Sequence, residues 1–202
     1  KRLVKNTLLL YARTIIVMCV GLYTSRVILD VLGIEDYGIY NVVGGFVVMF
    51  SVFSASLSNS ITRYITFELG CRNMEKLRTV FSMSLNIQII ISAIIVLLVE
   101  LVGVWFLNYR LNIPSDRLYA ANWVMQFSLI TFVVNLISLP YNALIIAYEK
   151  MDVFAYISLL EASLKLGVVY LLFISPVDKL IFYAFLLGFI IDTADLRLVL
   201  YT

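Results

Sequence analysis

Histidine is absent from this 202-residue chain, and cysteine is limited to Cys19 and Cys71. Without imidazole, Ser-His and Cys-His catalysis are excluded and the commonest metal ligand is missing. The two cysteines match no metal-ligand spacing, because Cys19 lies inside an apolar run and Cys71 lies in a polar break. We therefore expect no enzymatic activity, no bound metal and no cofactor.

Charge is also scarce. Charged residues make up 14% of the chain, against roughly a quarter in a soluble domain, while 62% of residues are hydrophobic and the mean hydropathy is +1.00. The apolar residues fall in runs of roughly twenty or more, each long enough to cross a hydrocarbon core as a helix. The net charge of +2 is nearly balanced, and the basic residues are scattered, so nucleic acid is not an expected partner. The composition predicts an integral membrane protein whose surroundings are lipids.

The alternation of apolar runs and polar breaks predicts an all-α fold with six membrane-spanning helices. Short breaks such as "GIEDYG" at residues 33–38 favour antiparallel neighbours. The break at residues 63–78 mixes apolar and charged residues, which is typical either of a short amphipathic helix at the membrane surface or of a solvated loop. The predicted spans are Asn6 to Leu32, Gly38 to Thr62, Leu77 to Leu107, Leu118 to Ala147, Val153 to Ile174 and Val177 to Tyr201.

Basic residues near the ends of the spans predict the orientation. One side of the membrane receives nine of them and the other receives three, which places both termini in the cytoplasm. The nine are Lys1, Arg2, Lys5, Arg63, Arg72, Lys76, Arg78, Lys150 and Arg197, and the three are Arg110, Arg117 and Lys179.

Several charged residues fall inside the predicted spans. A charge near the bilayer centre costs at least about 2.5 to 3.5 kcal/mol on insertion scales, so each is a candidate functional residue. The alternatives are local: residues four apart on one helix can neutralise each other, and an arginine near a helix end can extend to the headgroups. Arg26 with Asp30 and Glu161 with Lys165 have that spacing. The candidates are Arg13, Arg26, Asp30, Glu161, Lys165 and Asp192.

The functional interpretation is that several of these cations face a shared interior cavity. In the predicted second helix, Asn41, Asn59 and Arg63 fall on one stripe with small residues between them, although small residues alone also serve close helix packing. A surplus of Arg and Lys in an apolar surrounding suits phosphate or another anion, because the guanidinium offers a planar set of donors. A lipid-linked pyrophosphate fits that chemistry.

Three motifs in order, "YTSRV", "LGIEDYGIYNVVGG" and "SLPYNALIIAYEKM", resemble the oligosaccharide (O-antigen and polysaccharide) flippase family of the MATE-like exporter superfamily, which also contains multidrug exporters. The resemblance implies two six-helix lobes that rock around a central cavity. Residues 1–202 would then be a single membrane domain, the N-terminal lobe, whose partner is a C-terminal lobe outside this chain. The last stretch, "GFIIDTADLRLVLYT", departs from the family pattern because it contains Asp192 and Asp195.

The resemblance implies a function in polysaccharide and lipopolysaccharide biosynthesis. The expected activity is flipping of an undecaprenyl-pyrophosphate-linked O-antigen repeat from the inner to the outer leaflet of the bacterial cytoplasmic (inner) membrane, by alternating access. Alternatives are a cation-coupled multidrug antiporter of the same fold, a membrane enzyme of glycan assembly and a structural subunit. The resemblance implies Arg13, Arg26 and Arg63 as substrate-binding residues; the residue pattern adds Lys165, Asn41 and Asn59 for substrate, and Glu161 and Asp192 for ion coupling.

Overall fold

The computed structural model describes the backbone of residues 2–111, 113–174 and 178–201, and the side chains of residues 11–52, 55–111, 113–150, 156–173 and 178–193. Every regular element in these ranges is helical. The elements are α1 (Arg2–Val48), α2 (Ser51–Gly70), α3 (Met74–Leu98), a π-helical segment (Val99–Gly103), α4 (Val104–Tyr109), α5 (Leu118–Ala147), α6 (Met151–Ile174) and α7 (Lys179–Tyr201).

The α1 helix consists of two arms that meet at Gly33. Gly33 has φ 81° and ψ 168°, a conformation open essentially to glycine alone. The first arm, residues 2–32, lies along α6, where the Tyr23 and Tyr170 hydroxyls are 3.4 Å apart. The second arm, residues 34–48, lies along α5 and α7, and its Tyr40 ring centroid is 4.9 Å from that of Tyr183. Tyr183 also lines a cavity together with residues of the first arm, so both arms approach the same residue of α7 on either side of the kink at Gly33.

The predicted boundaries of the second helix need correction. The prediction was one span from Gly38 to Thr62, but a turn at Met49 and Phe50 separates the second arm from α2. The α2 helix then continues to Gly70, so the first half of the predicted surface helix or loop belongs to α2. The physical reason is that no glycine or proline interrupts the chain between Thr62 and Gly70, and the Thr66 hydroxyl donates to the Thr62 carbonyl at 2.7 Å within the helix.

The remaining boundaries agree more closely. The α5 helix has the predicted limits, and α6 and α7 each begin two residues from the predicted start. The third span is longer in the structure than predicted. It begins earlier because Asn73 caps α3 through a 3.1 Å hydrogen bond from the Lys76 N–H, and it ends later because the helix continues through the π-helical segment into α4.

Membrane crossing is supported for part of the predicted set. Within the described ranges, four helices are long and apolar enough to span a bilayer: Tyr11–Val48, Met74–Tyr109, Leu118–Ala147 and Tyr156–Phe173. The count of six spans stays a prediction. The side chains of Lys1, Arg2, Lys5, Asp195 and Arg197, which entered the orientation count or the helix assignment, lie outside the described residues.

One end of the bundle is joined by Arg117, and we call it the Arg117 end. The Arg117 Nη1 is 2.9 Å from the Asp178 Oδ2, and its Nε is 3.3 Å from an oxygen of the buried Asp36. These contacts join the first residues of the second arm, α5 and α7. Exposed aromatic side chains lie on α4 and on the first two turns of α5, as expected near a membrane interface. They are Trp105, Tyr109, Tyr119 and Trp123.

The main hydrophobic core lies between the last turns of the first arm, the second arm, α3 with its continuation through α4, and α5, α6 and α7. A smaller cluster of Ile61, Ile65, Leu77 and Ala143 holds α2 and α3 against the last turns of α5, away from the Arg117 end. The second arm, α2 and α3 therefore pack around α5, whereas the first arm of α1 packs chiefly against α6 and α7. Between those three helices lies a polar cavity.

Candidate functional site

A cavity of about 270 Å³ separates the first arm of α1 from α6 and α7. We call it the polar cavity, because polar and charged side chains from all three helices reach it. Its lining residues are Arg13, Val17, Val20, Gly21, Thr24, Ser25 and Ile28 of the first arm, Ser158, Glu161, Ala162 and Lys165 of α6, and Tyr183 and Leu187 of α7.

Helical periodicity explains why the first arm faces the cavity as it does. Its lining positions recur every three or four residues, which places them on one face. Thr24 is buried, and its hydroxyl donates to the Val20 carbonyl at 2.7 Å, so the helix satisfies this polar group locally. Among the described residues, no neighbouring group lies within 4 Å of where a Cβ on Gly21 would be, so the cavity is open at this position.

Charges are concentrated on one side of the polar cavity. The Lys165 Nζ is 2.6 Å from the Glu161 Oε1, and 33% of the Lys165 side chain and 29% of the Glu161 side chain are exposed. Arg13, half-buried, lines the same space from the first arm. The structure thus brings together three of the eight predicted site residues: Arg13, Glu161 and Lys165.

The other five predicted residues do not line this cavity. Arg26, Arg63, Asn41 and Asn59 are exposed elsewhere on the first arm, the second arm and α2. The Asn41 Nδ2 donates to the Tyr37 carbonyl at 2.7 Å. Asp192 lies half-buried on α7, and its Oδ1 is buried with no hydrogen-bond partner among the described residues. The roles assigned to these five residues remain predictions.

Of the two ion pairs predicted between charges four residues apart, one is present in the structure and the other is not among its recorded ion pairs. The pair between Glu161 and Lys165 is confirmed. Arg26 and Asp30, both exposed, form none of the ion pairs recorded in the described part of the chain. Arg26 therefore keeps its exposed position without the neutralising contact that the spacing allows.

Sequence reasoning missed one intramembrane carboxylate. Glu100 interrupts the apolar stretch "VLLVELVGVW", and the rule that selected Arg13 and Asp192 applies to it equally. In the structure it lies in the π-helical segment and accepts a 2.8 Å hydrogen bond from the Gln126 Nε2 of α5. The wider helical turn has no comparable signal in the sequence.

Long apolar helices around an interior cavity with paired charges define a helical membrane protein with a polar site inside its bundle. The MatE family model matches residues 8–171. The chain therefore belongs to the MatE family, which supports a membrane transporter and confirms the MATE-like part of the resemblance. No curated protein and no solved structure matches the chain.

Proposed function

We propose that the chain moves an anionic lipid-linked oligosaccharide, of the undecaprenyl-pyrophosphate type, from the inner to the outer leaflet of a bacterial cytoplasmic membrane. The observation that carries this proposal is the charge in the polar cavity. Its described lining contains two cations, Arg13 and Lys165, and one carboxylate, Glu161. Such a net positive lining inside an apolar bundle favours an anion.

The chemistry of the lining suits phosphate oxygens. A guanidinium presents donors in a plane that two oxygens can match, and an ammonium adds a point charge. The Ser25 and Ser158 hydroxyls line the same space and belong to a residue type that can donate further hydrogen bonds. Binding and release need no covalent step, so the absence of histidine from the sequence is no obstacle.

The size of the cavity limits what enters it. A volume of about 270 Å³ corresponds to roughly nine water molecules at about 30 Å³ each. That space suits a phosphate headgroup rather than a complete sugar repeat. We therefore propose that the pyrophosphate enters the polar cavity and that the glycan contacts the exposed faces of the first arm, the second arm and α2, where Arg26, Asn41, Asn59 and Arg63 lie.

The test is export in cells that lack the gene and receive it back as wild type or as a variant. We expect lipid-linked oligosaccharide to accumulate on the cytoplasmic leaflet of the deletion strain and to be cleared by wild type. Arg13→Gln should reduce export about tenfold or more, because a charge-assisted hydrogen bond contributes about 1.5 to 3 kcal/mol. Lys179→Gln is the matched control, since Lys179 is exposed at the start of α7 and outside the polar cavity.

The exposed arginines have a separate test. Neutralising Arg26 and Arg63 together should abolish export while membrane insertion is retained. Full activity of the double variant would remove the glycan surface from the proposal, and full activity of Arg13→Gln would remove the polar cavity. If no lipid-linked intermediate accumulates in the deletion strain, oligosaccharide flipping itself is wrong.

A cation-coupled multidrug antiporter is the second candidate. The observation that favours it is the Asp192 Oδ1, which is buried without a hydrogen-bond partner among the described residues and is a possible site for a coupling ion. Efflux of a cationic dye that depends on an ion gradient and is lost in Asp192→Asn would support this candidate. Export of oligosaccharide without dye efflux would reject it.

A further inference from the structure

A second cavity, of about 290 Å³, lies between the second arm, the first turn of α2, α5 and α7. We call it the neutral cavity, because no charged side chain is among its lining residues in the described part of the chain. The charge of the lining thus distinguishes it from the polar cavity. The hydrogen-bonding side chains that line it are Tyr40 of the second arm, Ser51 of α2, and Ser128, Thr131 and Asn135 of α5.

The three polar side chains of α5 lie on one face of that helix. Ser128, Thr131 and Asn135 recur every three or four residues, which is the spacing of a single helix face. Gly188 allows α7 to approach this face closely, since a Cβ at Gly188 would lie 2.8 Å from the Thr131 Oγ1. Small residues usually serve close packing between membrane helices. Here they border a cavity as well, so packing alone does not account for them.

These side chains have hydrogen-bonding capacity that the bundle does not use. Hydroxyls elsewhere in the helices donate to a carbonyl of the preceding turn, as those of Thr24 and Ser138 do at 2.7 Å and 2.9 Å. Within the described ranges, no hydrogen bond is recorded for the side chains of Ser128, Thr131 and Asn135. Their donors and acceptors are therefore available to a ligand.

The lining favours an uncharged ligand that forms hydrogen bonds. An anion or a metal cation would find no opposite charge among the described lining residues. A lipid acyl chain would leave the hydroxyl and amide groups unpaired, which costs free energy. The Phe127 and Phe132 rings add apolar surface beside the polar groups, and this combination suits a ring that has both apolar faces and hydroxyls, as a sugar has.

The volume of the neutral cavity limits the size of that ligand. About 290 Å³ corresponds to roughly ten water molecules at about 30 Å³ each. One sugar ring suits this space, whereas a chain of several sugars does not.

The neutral cavity adjoins the polar cavity at α7. Leu187 lines both of them. The Tyr40 ring of the neutral cavity contacts the ring of Tyr183, which lines the polar cavity, with centroids 4.9 Å apart. Rotation of the half-buried Leu187 side chain would join the two spaces. A ligand in which an anionic group is bonded directly to an uncharged ring can therefore occupy both.

We propose that the neutral cavity binds the sugar ring that is bonded to the pyrophosphate, while the pyrophosphate lies in the polar cavity on the other side of Leu187. The α5 side chains then form hydrogen bonds with sugar hydroxyls, and the remaining sugars extend to the exposed faces of the bundle. The neutral cavity selects the first sugar, because a site built to bond hydroxyls rejects analogues without them. The assignment to a lipid-linked oligosaccharide rests on the proposed function, whereas binding of a sugar phosphate does not.

Sugar binding is measured by calorimetry on the intact protein in lipid nanodiscs. The probes are glucose 1-phosphate, galactose 1-phosphate and N-acetylglucosamine 1-phosphate. Each is compared with cyclohexyl phosphate, in which a ring of similar size carries a phosphate but no hydroxyls. We expect at least one sugar phosphate to bind about tenfold more tightly than cyclohexyl phosphate. If no sugar phosphate binds more tightly than cyclohexyl phosphate, the proposal is wrong.

Two conservative substitutions locate the preference in the neutral cavity. Thr131→Val and Asn135→Leu should each reduce the preference for sugar phosphates, and the double variant should abolish it. Inorganic phosphate needs only the polar cavity and should bind equally to wild type and to the double variant, which also shows that the variant is folded. If the double variant does not bind phosphate, the two single variants decide by the same comparison. A preference that survives these substitutions would overturn the proposal.

The matched control is Thr66→Val. The Thr66 hydroxyl is exposed on α2 and donates within its own helix at 2.7 Å, outside both cavities. This variant should bind every probe as wild type does. A loss of the preference in Thr66→Val as large as that in Thr131→Val would show that the effect does not belong to the neutral cavity.

The role in transport is tested by export in the deletion strain. The double variant of Thr131 and Asn135 should export about tenfold less lipid-linked oligosaccharide than wild type, and Thr66→Val should export as much. Undiminished export by the double variant would remove the sugar ring of the transported lipid from the neutral cavity. If the deletion strain accumulates no lipid-linked oligosaccharide, the proposed function fails, and the calorimetric comparison alone decides whether the neutral cavity binds a sugar.

Discussion

Lys165 and Glu161 form an ion pair of 2.6 Å across one turn of α6, with both side chains facing the same cavity as Arg13. Removing one partner leaves the other charge uncompensated inside the bundle, whereas removing both does not. The losses of stability in Lys165→Met and Glu161→Gln should therefore add up to more than the loss in the double variant. We expect a coupling free energy of about 1 kcal/mol.

The measurement is a double-mutant cycle on thermal unfolding in detergent. The control cycle uses Glu75→Gln and Lys76→Met at the exposed start of α3, where no ion pair between the two is recorded in the described chain. Equal coupling in both cycles would contradict the structural importance of the α6 pair.

Arg117 should contribute strongly to stability through its two carboxylate partners. Asp36 is only 6% exposed, so Arg117→Ala leaves a buried carboxylate without its cation. We expect a loss of about 2 kcal/mol, below the value for a fully buried pair because 36% of the Arg117 side chain is exposed. Arg117→Lys should lie between, since a single ammonium cannot reproduce the Nε and Nη1 contacts.

The comparison variant for Arg117 is Arg110→Ala. Arg110 lies over the Trp105 ring at 5.6 Å and should contribute no more than about 1 kcal/mol. Thermal unfolding of the three variants in one lipid or detergent gives the ranking. A loss in Arg110→Ala as large as that in Arg117→Ala would show that the Arg117 end is not specially dependent on its ion pairs.

Gly103 should not tolerate a side chain. The 2.9 Å approach to Phe46 and the 3.2 Å approaches to Met125 and Val99 require displacement of packed groups, so Gly103→Ala should cost about 1 to 3 kcal/mol. Gly45→Ala is the matched control: among the described residues, no neighbouring group has an atom within 4 Å of its added Cβ, and alanine in a helix interior should gain about 0.5 to 1 kcal/mol. Unfolding midpoints distinguish the two, and a neutral Gly103→Ala would refute the packing argument.

The orientation of the bundle is testable with its own thiols. Cys71 is exposed in the turn between α2 and α3, on the side predicted to be cytoplasmic. In a Cys19→Ser background, a membrane-impermeant maleimide should label Cys71 in inside-out vesicles and not in intact cells. The reverse pattern would place the Arg117 end in the cytoplasm.

Sequence reasoning predicted the parts of the fold that depend on composition and on the polar breaks between apolar runs. The limits of α5 follow from polar residues on both sides of one apolar run, and the pair of Glu161 and Lys165 follows from spacing on one helix. The turn at Met49 and Phe50 could not be predicted in this way, because neither residue is a helix breaker and the turn depends on packing between helices.

In the candidate site, too, the residue types could be predicted from the sequence, whereas their meeting depends on packing between helices. Arg13 meets Lys165 only because the first arm packs against α6, a contact between distant parts of the chain that periodicity does not specify. The exposed Arg26 illustrates the limit, since it was predicted to face an interior cavity but does not line the polar cavity, a difference that depends on how the first arm packs against α6. Glu100 was available to the same rule, whereas the π-helical geometry around it depends on tertiary contacts through Gly103.

The contact between the first arm and α6 also constrains how the protein is made. Tyr23 and Tyr170 are 147 residues apart in the sequence, and a ribosome adding roughly 5 to 20 residues per second takes roughly 7 to 30 s to cover that interval. During this time the first arm is in the membrane without the helix that carries Glu161 and Lys165, and Arg13 has no contact with them. The first arm therefore enters the membrane before its partner helix has been made, which makes the order of synthesis part of how this bundle assembles.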